Sequence, residues 1–194
     1  MSEKANFSNI YNFYDLINTV LTLGFDKSWR KKAADNLVGT SVLDLGSGTG
    51  AAFDQLLNYE TTAIDPDKKM LELNTFENKV LGSAENLPFE DNSFDNVFCS
   101  FVWRNVSDTN KALEEVYRVL RPGGKFILLD MTRPKNSFLR MLHKIGTFKV
   151  LHLIGLFTFN LKEYRFLYKS LDFYPQPEEH LNKDNFIEIG RAHV

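Results

Sequence analysis

The feature that most constrains this chain is a glycine-rich segment directly after a short apolar run. Residues 42–50 spell Val-Leu-Asp-Leu-Gly-Ser-Gly-Thr-Gly, which predicts a strand that turns sharply into a loop. Glycine lacks a Cβ and tolerates positive φ, so the backbone of such a loop can approach a ligand closely. Gly46, Gly48 and Ala51 also satisfy the loose dinucleotide-binding pattern. The loop alone therefore predicts a nucleotide-like ligand without choosing one.

The rest of the chain predicts a parallel sheet covered on both faces. Four nearly continuous apolar runs are predicted strands, and three segments with helical periodicity or caps are predicted helices. Strands alternating with helices favour a Rossmann-like, mostly parallel, doubly wound α/β sheet. The predicted strands are residues 41–45, 61–64, 96–101 and 125–129, and the predicted helices are residues 51–58, 68–75 and 110–120.

We expect one domain over residues 1–187, with a helical cap at 1–38 and a helical lid at 135–165. The lid contains a segment, 138–161, in which large apolar residues mix with basic ones. Packing as core or lid is the preferred interpretation of that apolar face, and contact with a membrane surface is the alternative. Residues 188–194 are interpreted as a non-native tail, because one reading frame of a common sequencing adapter encodes them.

Composition excludes several classes of protein. A net charge of −2 gives no reason to expect a nucleic-acid partner. The single cysteine, Cys99, excludes an intrachain disulfide. The residues that flank the loop give no metal-ligand pattern, so no metal is predicted. The N-terminus lacks the basic-then-apolar pattern of a signal peptide, which predicts a cytoplasmic location.

Two acidic residues narrow the choice of ligand. Asp44 precedes the first glycine by two positions, where a carboxylate would repel a pyrophosphate but suits the cationic methionine end of S-adenosyl-L-methionine (SAM). Asp65 closes the next predicted strand, where an acidic side chain can hold both ribose hydroxyls of either NAD or SAM. Alone, each could equally be a helix N-cap or a turn residue. Together with the loop they indicate a ligand site in which Asp65 supports an adenosine and Asp44 favours SAM over NAD.

Later motifs carry a family resemblance. Arg104-Asn105-Val106 follows the fourth predicted strand, and Arg121-Pro122-Gly123-Gly124 follows the third predicted helix. With the segment Tyr-Arg-Phe-Leu-Tyr-Lys-Ser-Leu at 164–171, they make the chain similar to the ubiquinone/menaquinone biosynthesis C-methyltransferases over about residues 11–180. The resemblance implies a class I SAM-methyltransferase fold, here truncated before its last two strands. It also implies methylation of a ring carbon in a prenylated quinol precursor.

The resemblance assigns site residues as well. It implies SAM contacts at Thr49, Asp65, Ser83, Ala84 and Ser100, which join the contacts predicted from the loop and its strand, Asp44, Gly46, Gly48 and Gly50. We hypothesise that the Arg104 guanidinium, which does not deprotonate, stabilises a developing phenolate or polarises a water. Asn105 would orient the same oxygen. The alternative is that Arg104 pairs with a carboxylate such as Asp108.

Other functions stay open at this stage. A class I methyltransferase of another small molecule, such as a phospholipid amine, a sterol or a phenol, would carry the same loop. A NAD-binding oxidoreductase and a non-catalytic SAM-binding module are the alternatives from other classes. The predicted partner is a prenylated quinol, with peripheral membrane contact through residues 138–161, and a homodimer is left open.

Overall fold

The computed structural model describes residues 17–131, 136–158, 165, 168–169 and 171, and the backbone of 186–192. Its strands form one sheet in which every pairing is parallel, in the order β3-β2-β1-β4-β5-β6. The strands are β1 (Ser41–Leu45), β2 (Glu60–Asp65), β3 (Asn78–Leu81), β4 (Phe94–Ser100), β5 (Leu120–Met131) and β6 (Phe186–Ala192).

Helices flank this sheet, and the predicted alternation of strands and helices is confirmed. They are α1 (Asp26–Ala34), α2 (Phe53–Leu56), α3 (Lys68–Leu73), α4 (Thr109–Val119) and α5 (Ser137–Thr158), with a short 3-10 helix at Trp103–Asn105. Residues 17–21 are also helical. Within the predicted cap, the described residues form these two helical segments with turns after each, and residues 1–16 lie outside the described part.

Successive residues of the central strands enter opposite layers of core. Val42 and Phe98 belong to the cluster that packs with α1, whereas Leu43 and Val97 belong to the cluster that packs with α4. A strand covered on both faces is apolar at most of its positions, which explains the nearly continuous apolar runs. The four predicted strands are thereby confirmed, each within a few residues of its predicted bounds.

Three local predictions differ from the structure. The helix predicted at 51–58 is a single turn, Phe53–Leu56, because the preceding residues remain in turns. Strand β3 was not predicted, since its four residues are polar or exposed except for the half-buried Val80. Strand β6 covers part of the segment set aside as a tail, and its backbone pairs with β5. The non-native origin of 188–194 stays a prediction.

Helix α4 begins where its cap predicts. The Asp108 carboxylate accepts a hydrogen bond from the Lys111 backbone N–H at 3.1 Å, as an N-cap does. The Arg-Pro-Gly-Gly motif begins β5 at the amino edge of the sheet, where Arg121 donates to Asp95 and to the Ser41 hydroxyl. This motif therefore serves the fold and lies away from the carboxyl edge.

Helix α5 rests on the molecule along a narrow stripe. Its buried positions are Thr147, Leu151 and Gly155, spaced four residues apart, and Leu151 packs with Ile17. Most of its large apolar side chains are exposed, so the described part of α5 does not bury them as core, and the lid interpretation stays a prediction. No helix in the described ranges is long and apolar enough to cross a membrane. The exposed apolar residues of α5 are Phe138, Leu139, Met141, Leu142, Ile145, Phe148, Leu153 and Leu156.

Candidate cofactor site

A narrow cleft opens at the carboxyl ends of β1 and β4. The order of the sheet reverses between these two strands, and such a switch point is where open α/β sheets bind ligands. Five of the predicted cofactor residues line the cleft together: Asp44, Gly46, Gly48, Thr49 and Ser100. The structure therefore brings these five predicted residues together at one place in the fold, and their role in binding a cofactor stays a prediction.

The glycines of the loop are required by close contacts and by backbone angles. Gly46 has φ +70°, and a Cβ there would lie 2.3 Å from Cγ1 of Val102. Gly50 has φ +87°, and its Cβ would lie 2.9 Å from the Asn74 side-chain oxygen. Any other residue would combine a strained φ with a collision.

The N–H groups of the loop are bonded within the protein. Those of Gly46 and Ser47 both donate to the carbonyl of Ile64, at 2.9 and 3.0 Å, and that of Gly50 donates to the Ser47 carbonyl. The Gly48 N–H donates to the Asp65 carboxylate at 2.9 Å. A pyrophosphate bound at such a loop needs N–H donors directed at it. The loop is therefore poorly suited to the NAD alternative.

Asp44 places a carboxyl group under this loop. It is 2% exposed, and the Ser47 hydroxyl donates to it at 2.6 Å. Burial raises the pKa of Asp44 to about 6, although the Ser47 hydrogen bond and the positive charge of Arg30 oppose that shift. A buried carboxylate with few donors is suited to a cationic partner, which agrees with the charge argument from the sequence.

Asp65 closes β2 beside the loop. One carboxylate oxygen accepts from Gly48 and the other accepts from the Asp67 backbone N–H at 2.8 Å. Burial is the largest influence on this group and raises the pKa of Asp65 to about 6. Each oxygen keeps a lone pair for a further donor, such as a ribose hydroxyl.

Ser83 and Ala84 lie on the loop after β3, not among the residues that line the cleft. Ser83 pairs with Asn86 in an isolated bridge. The loop is held from α4, because the Glu115 carboxylate accepts from the Leu87 N–H at 2.7 Å and Arg118 donates to the carbonyls of Leu87 and Phe89. Its position is thus fixed by the fold before any ligand binds.

Arg104 and Asn105 lie in the 3-10 helix that follows β4. The Arg104 side chain is 1% exposed and forms an ion pair with Asp130, at the end of β5, whose side chain is 0% exposed. The alternative that Arg104 pairs with a carboxylate is confirmed, with Asp130 as the partner in place of Asp108, which caps α4. The side-chain oxygen of Asn105 is buried and accepts no hydrogen bond from the described residues. Neither residue lines the cleft, although Val102, just before them, does.

Sequence reasoning missed one charged residue of the cleft, Arg30. Its side chain is 3% exposed, donates from Nη1 to Asp26 Oδ2 at 2.7 Å and from Nε to Ser100 Oγ at 3.3 Å. A run of Arg and Lys on a short helix is typical of a solvated face, so nothing marked this residue as buried. The acidic residue four positions earlier was the one available signal.

The polar groups of the cleft and of the adjoining glycine loop fit SAM. A buried carboxylate beside an internally bonded glycine loop suits a cationic group, and Asp65 suits a diol. In the part of the chain that the structure describes, no cluster of histidine, cysteine and acidic residues could hold a metal ion.

Comparison with known proteins agrees with this geometry. Residues 3–188 match the model of the ubiE/COQ5 methyltransferase family. The chain is 37% identical to a protein of Rickettsia bellii named ubiquinone/menaquinone biosynthesis C-methyltransferase UbiE, over 89% of this chain and 78% of that protein.

Solved structures share the fold. A structure from Methanococcus maripaludis superposes with a TM-score of 0.59 at 24% identity, over 89% of this chain and 87% of the other, which supports the fold alone. A SAM-dependent methyltransferase from Thermotoga maritima matches with a TM-score of 0.51 at 26% identity, over 62% of this chain. The match spans 59% of the length of the Thermotoga protein. These likenesses confirm the Rossmann-like class I methyltransferase fold.

Proposed function

The chain belongs to the ubiE/COQ5 methyltransferase family, and from that premise we propose that it transfers the methyl group of SAM to a ring carbon of a prenylated quinol. The observation that carries the cofactor part of this proposal is the buried Asp44 carboxylate under a glycine loop whose N–H groups are bonded internally. That arrangement favours a cation, because the N–H groups of Gly46, Ser47, Gly48 and Gly50 are already bonded and do not serve a pyrophosphate.

Each predicted cofactor residue has a role in this proposal. Asp44 holds the ammonium of the methionine end, and Asp65 accepts from the ribose hydroxyls. Thr49 and Ser100 complete the cleft, while Ser83 and Ala84 meet the adenine edge on the loop that α4 holds in place. When bound, SAM supplies a methyl group already activated by its sulfonium.

On the acceptor side, a ring carbon becomes nucleophilic when the neighbouring hydroxyl loses its proton. We assign Arg104 to stabilise the oxyanion that develops, because its guanidinium remains charged throughout. Asp130 fixes that guanidinium at the carboxyl edge of the sheet. The buried side-chain oxygen of Asn105 supports a role in orienting the hydroxyl or a water.

Helix α5 supports the peripheral membrane contact in the proposal. Its exposed apolar residues accompany Arg140, Lys144 and Lys149, and the helix contains no acidic residue. Basic and apolar side chains on one exposed helix suit an anionic lipid surface. A prenyl-tailed acceptor would be taken up there by a protein that works from the cytoplasm.

A methyl-transfer assay tests the acceptor. Purified protein is incubated with SAM labelled in its methyl group and with demethylmenaquinol, a prenylated benzoquinol or phosphatidylethanolamine. We expect label in a quinol and none in the phospholipid, and Asp44→Asn, which removes the carboxylate from the cleft, should abolish it. Label in phosphatidylethanolamine alone would establish a lipid amine methyltransferase instead.

The role of Arg104 is tested by separating turnover from cofactor affinity. Arg104→Lys keeps a positive charge for Asp130 but lacks the planar guanidinium. We expect it to lower kcat at least about tenfold while the Kd for SAM stays within about twofold. Unchanged turnover would remove Arg104 from the mechanism.

A further inference from the structure

The charged groups at one end of the cleft form an unlike pair, a guanidinium and a carboxylate. Arg30 reaches this end from α1, and Asp44 reaches it from β1. The positive charge of Arg30 lowers the pKa of Asp44, so the two groups interact electrostatically even though burial has the larger effect. Unlike charges facing one cavity complement a ligand that itself carries both signs.

Arg30 is held in a fixed orientation by three neighbours. Asp26 accepts from Nη1 at 2.7 Å and Ser100 accepts from Nε at 3.3 Å. The guanidinium carbon also lies 4.9 Å from the centre of the Phe101 ring. A guanidinium has more N–H donors than these contacts use, and its planar fork suits a carboxylate.

If the role of Arg30 were only structural, the residue would do no more than join α1 to β4. In that case Asp26 would neutralise it and Ser100 would merely tie the helix to the sheet. That account leaves unexplained why a buried arginine lines the same cleft as the buried Asp44. Burying a charge is costly unless its partners compensate, so a ligand carboxylate would improve the balance.

We propose that Arg30 binds the carboxylate of an α-amino acid group whose ammonium pairs with Asp44. The inference rests on the proposed function, since the ligand end concerned is the methionine end of SAM. Asp26 and Ser100 act as positioning residues that aim the guanidinium. Arg30 thereby makes the cleft bind a ligand with both the ammonium and the carboxylate more tightly than a ligand that lacks the carboxylate.

Binding of three ligands to the full chain separates these possibilities. SAM carries the ammonium and the carboxylate, decarboxylated SAM keeps only the ammonium, and 5′-methylthioadenosine lacks both. By calorimetry we expect the wild-type protein to bind SAM about tenfold or more tighter than decarboxylated SAM. Arg30→Gln should bring those two Kd values within about twofold of each other and leave the Kd for 5′-methylthioadenosine unchanged.

Controls address folding and general charge. Arg30→Gln with Asp26→Asn removes both members of the buried pair, so it avoids an unpaired carboxylate and should behave like Arg30→Gln. Lys31→Gln removes the same charge from an exposed position of α1 and should change no Kd.

Two results would overturn the inference. One is a preference for SAM over decarboxylated SAM that persists in both Arg30 variants. The other is an equal loss of affinity for all three ligands, which would mark Arg30 as structural. If the wild-type protein bound none of the three, the proposed cofactor site would fall and this inference with it.

Discussion

At the scale of single residues, burial raises the pKa values of two carboxyl groups to about 6, that of Asp44 in the cleft and that of Asp65 beside the glycine loop. Their ordinary value is 3.8, so between about pH 4 and 6 the folded, ligand-free chain binds more protons than the unfolded chain. For these two groups, lowering the pH through that window stabilises the empty fold. A bound cation needs the ionised carboxylates, so lowering the pH through the same window weakens its binding.

We therefore expect SAM affinity to fall as the pH falls through 6. With a pKa of about 6, one carboxyl that must be ionised weakens binding about tenfold between about pH 7.5 and pH 5. Calorimetric titrations at several pH values measure this, and Asp44→Asn should reduce the pH dependence as well as the affinity. A Kd that is constant from pH 7.5 to 5 would contradict ionisation of Asp44 as a condition for binding.

Gly46 provides a second residue-scale prediction. Gly46→Ala imposes a strained φ of +70° and drives a Cβ into Val102, so we expect it to destabilise the fold by about 1–3 kcal/mol and to abolish SAM binding. Gly123→Ala is the matched control, since Gly123 has φ +81° with nothing within 4 Å of its Cβ position.

Urea unfolding should show a larger loss in the free energy of unfolding for Gly46→Ala than for Gly123→Ala. Val102→Ala in the Gly46→Ala background should restore part of the stability, because it removes the collision but not the strained φ. Equal losses at both glycines would show that the contact with Val102 is unimportant.

The difference between Asp44 and Arg30 shows what residue types reveal before a structure exists. Asp44 interrupts an apolar strand next to a glycine loop, which marks it as functional from local context. Arg30 lies among lysines on a helix, and only the tertiary contacts with Ser100 and Phe101 show that it faces a cleft. Local patterns do not encode which side of a short helix faces the sheet.

At the scale of elements, the 3-10 helix and β5 are joined by the buried pair of Arg104 and Asp130. Removing either partner leaves an uncompensated buried charge, at a cost of about 3–5 kcal/mol. We expect Arg104→Met and Asp130→Leu each to lower the free energy of unfolding by about that amount. The double variant should be less destabilised than the sum of the two, as measured by urea unfolding. Additive losses would contradict the pairing.

Elements also differ in how well the sequence predicts them. Strands β1, β2, β4 and the end of β5 are buried on both faces, so their apolar runs were sufficient. Strand β3 is a polar edge strand that pairs only with β2, and its place depends on that pairing rather than on its own composition. Helix α2 is short because the glycine loop continues in turns up to Phe53.

At the scale of the whole molecule, α5 gives the surface an exposed apolar and basic segment. We expect the full chain to bind vesicles containing phosphatidylglycerol and to bind them less well as salt concentration rises. Phe138→Ser with Met141→Ser should weaken this binding, because both side chains are at least half exposed and removing them does not disturb the core.

Leu57→Ser is the matched control for vesicle binding. Leu57 is 59% exposed and directly follows α2, outside the sequence of α5. Sedimentation with vesicles should show no change for this variant. An equal loss for Leu57→Ser, or no binding by the wild-type chain, would separate α5 from any membrane role.

The internal hydrogen bonds of the glycine loop also affect how the protein behaves over many turnovers. Because Ile64, Asp65 and Ser47 already satisfy its N–H groups, the loop is ordered before a ligand arrives. Binding then orders little additional backbone in the loop, so the affinity for the cofactor is reduced little by lost conformational entropy. We therefore expect one bound cofactor to be exchanged for another without refolding of the loop.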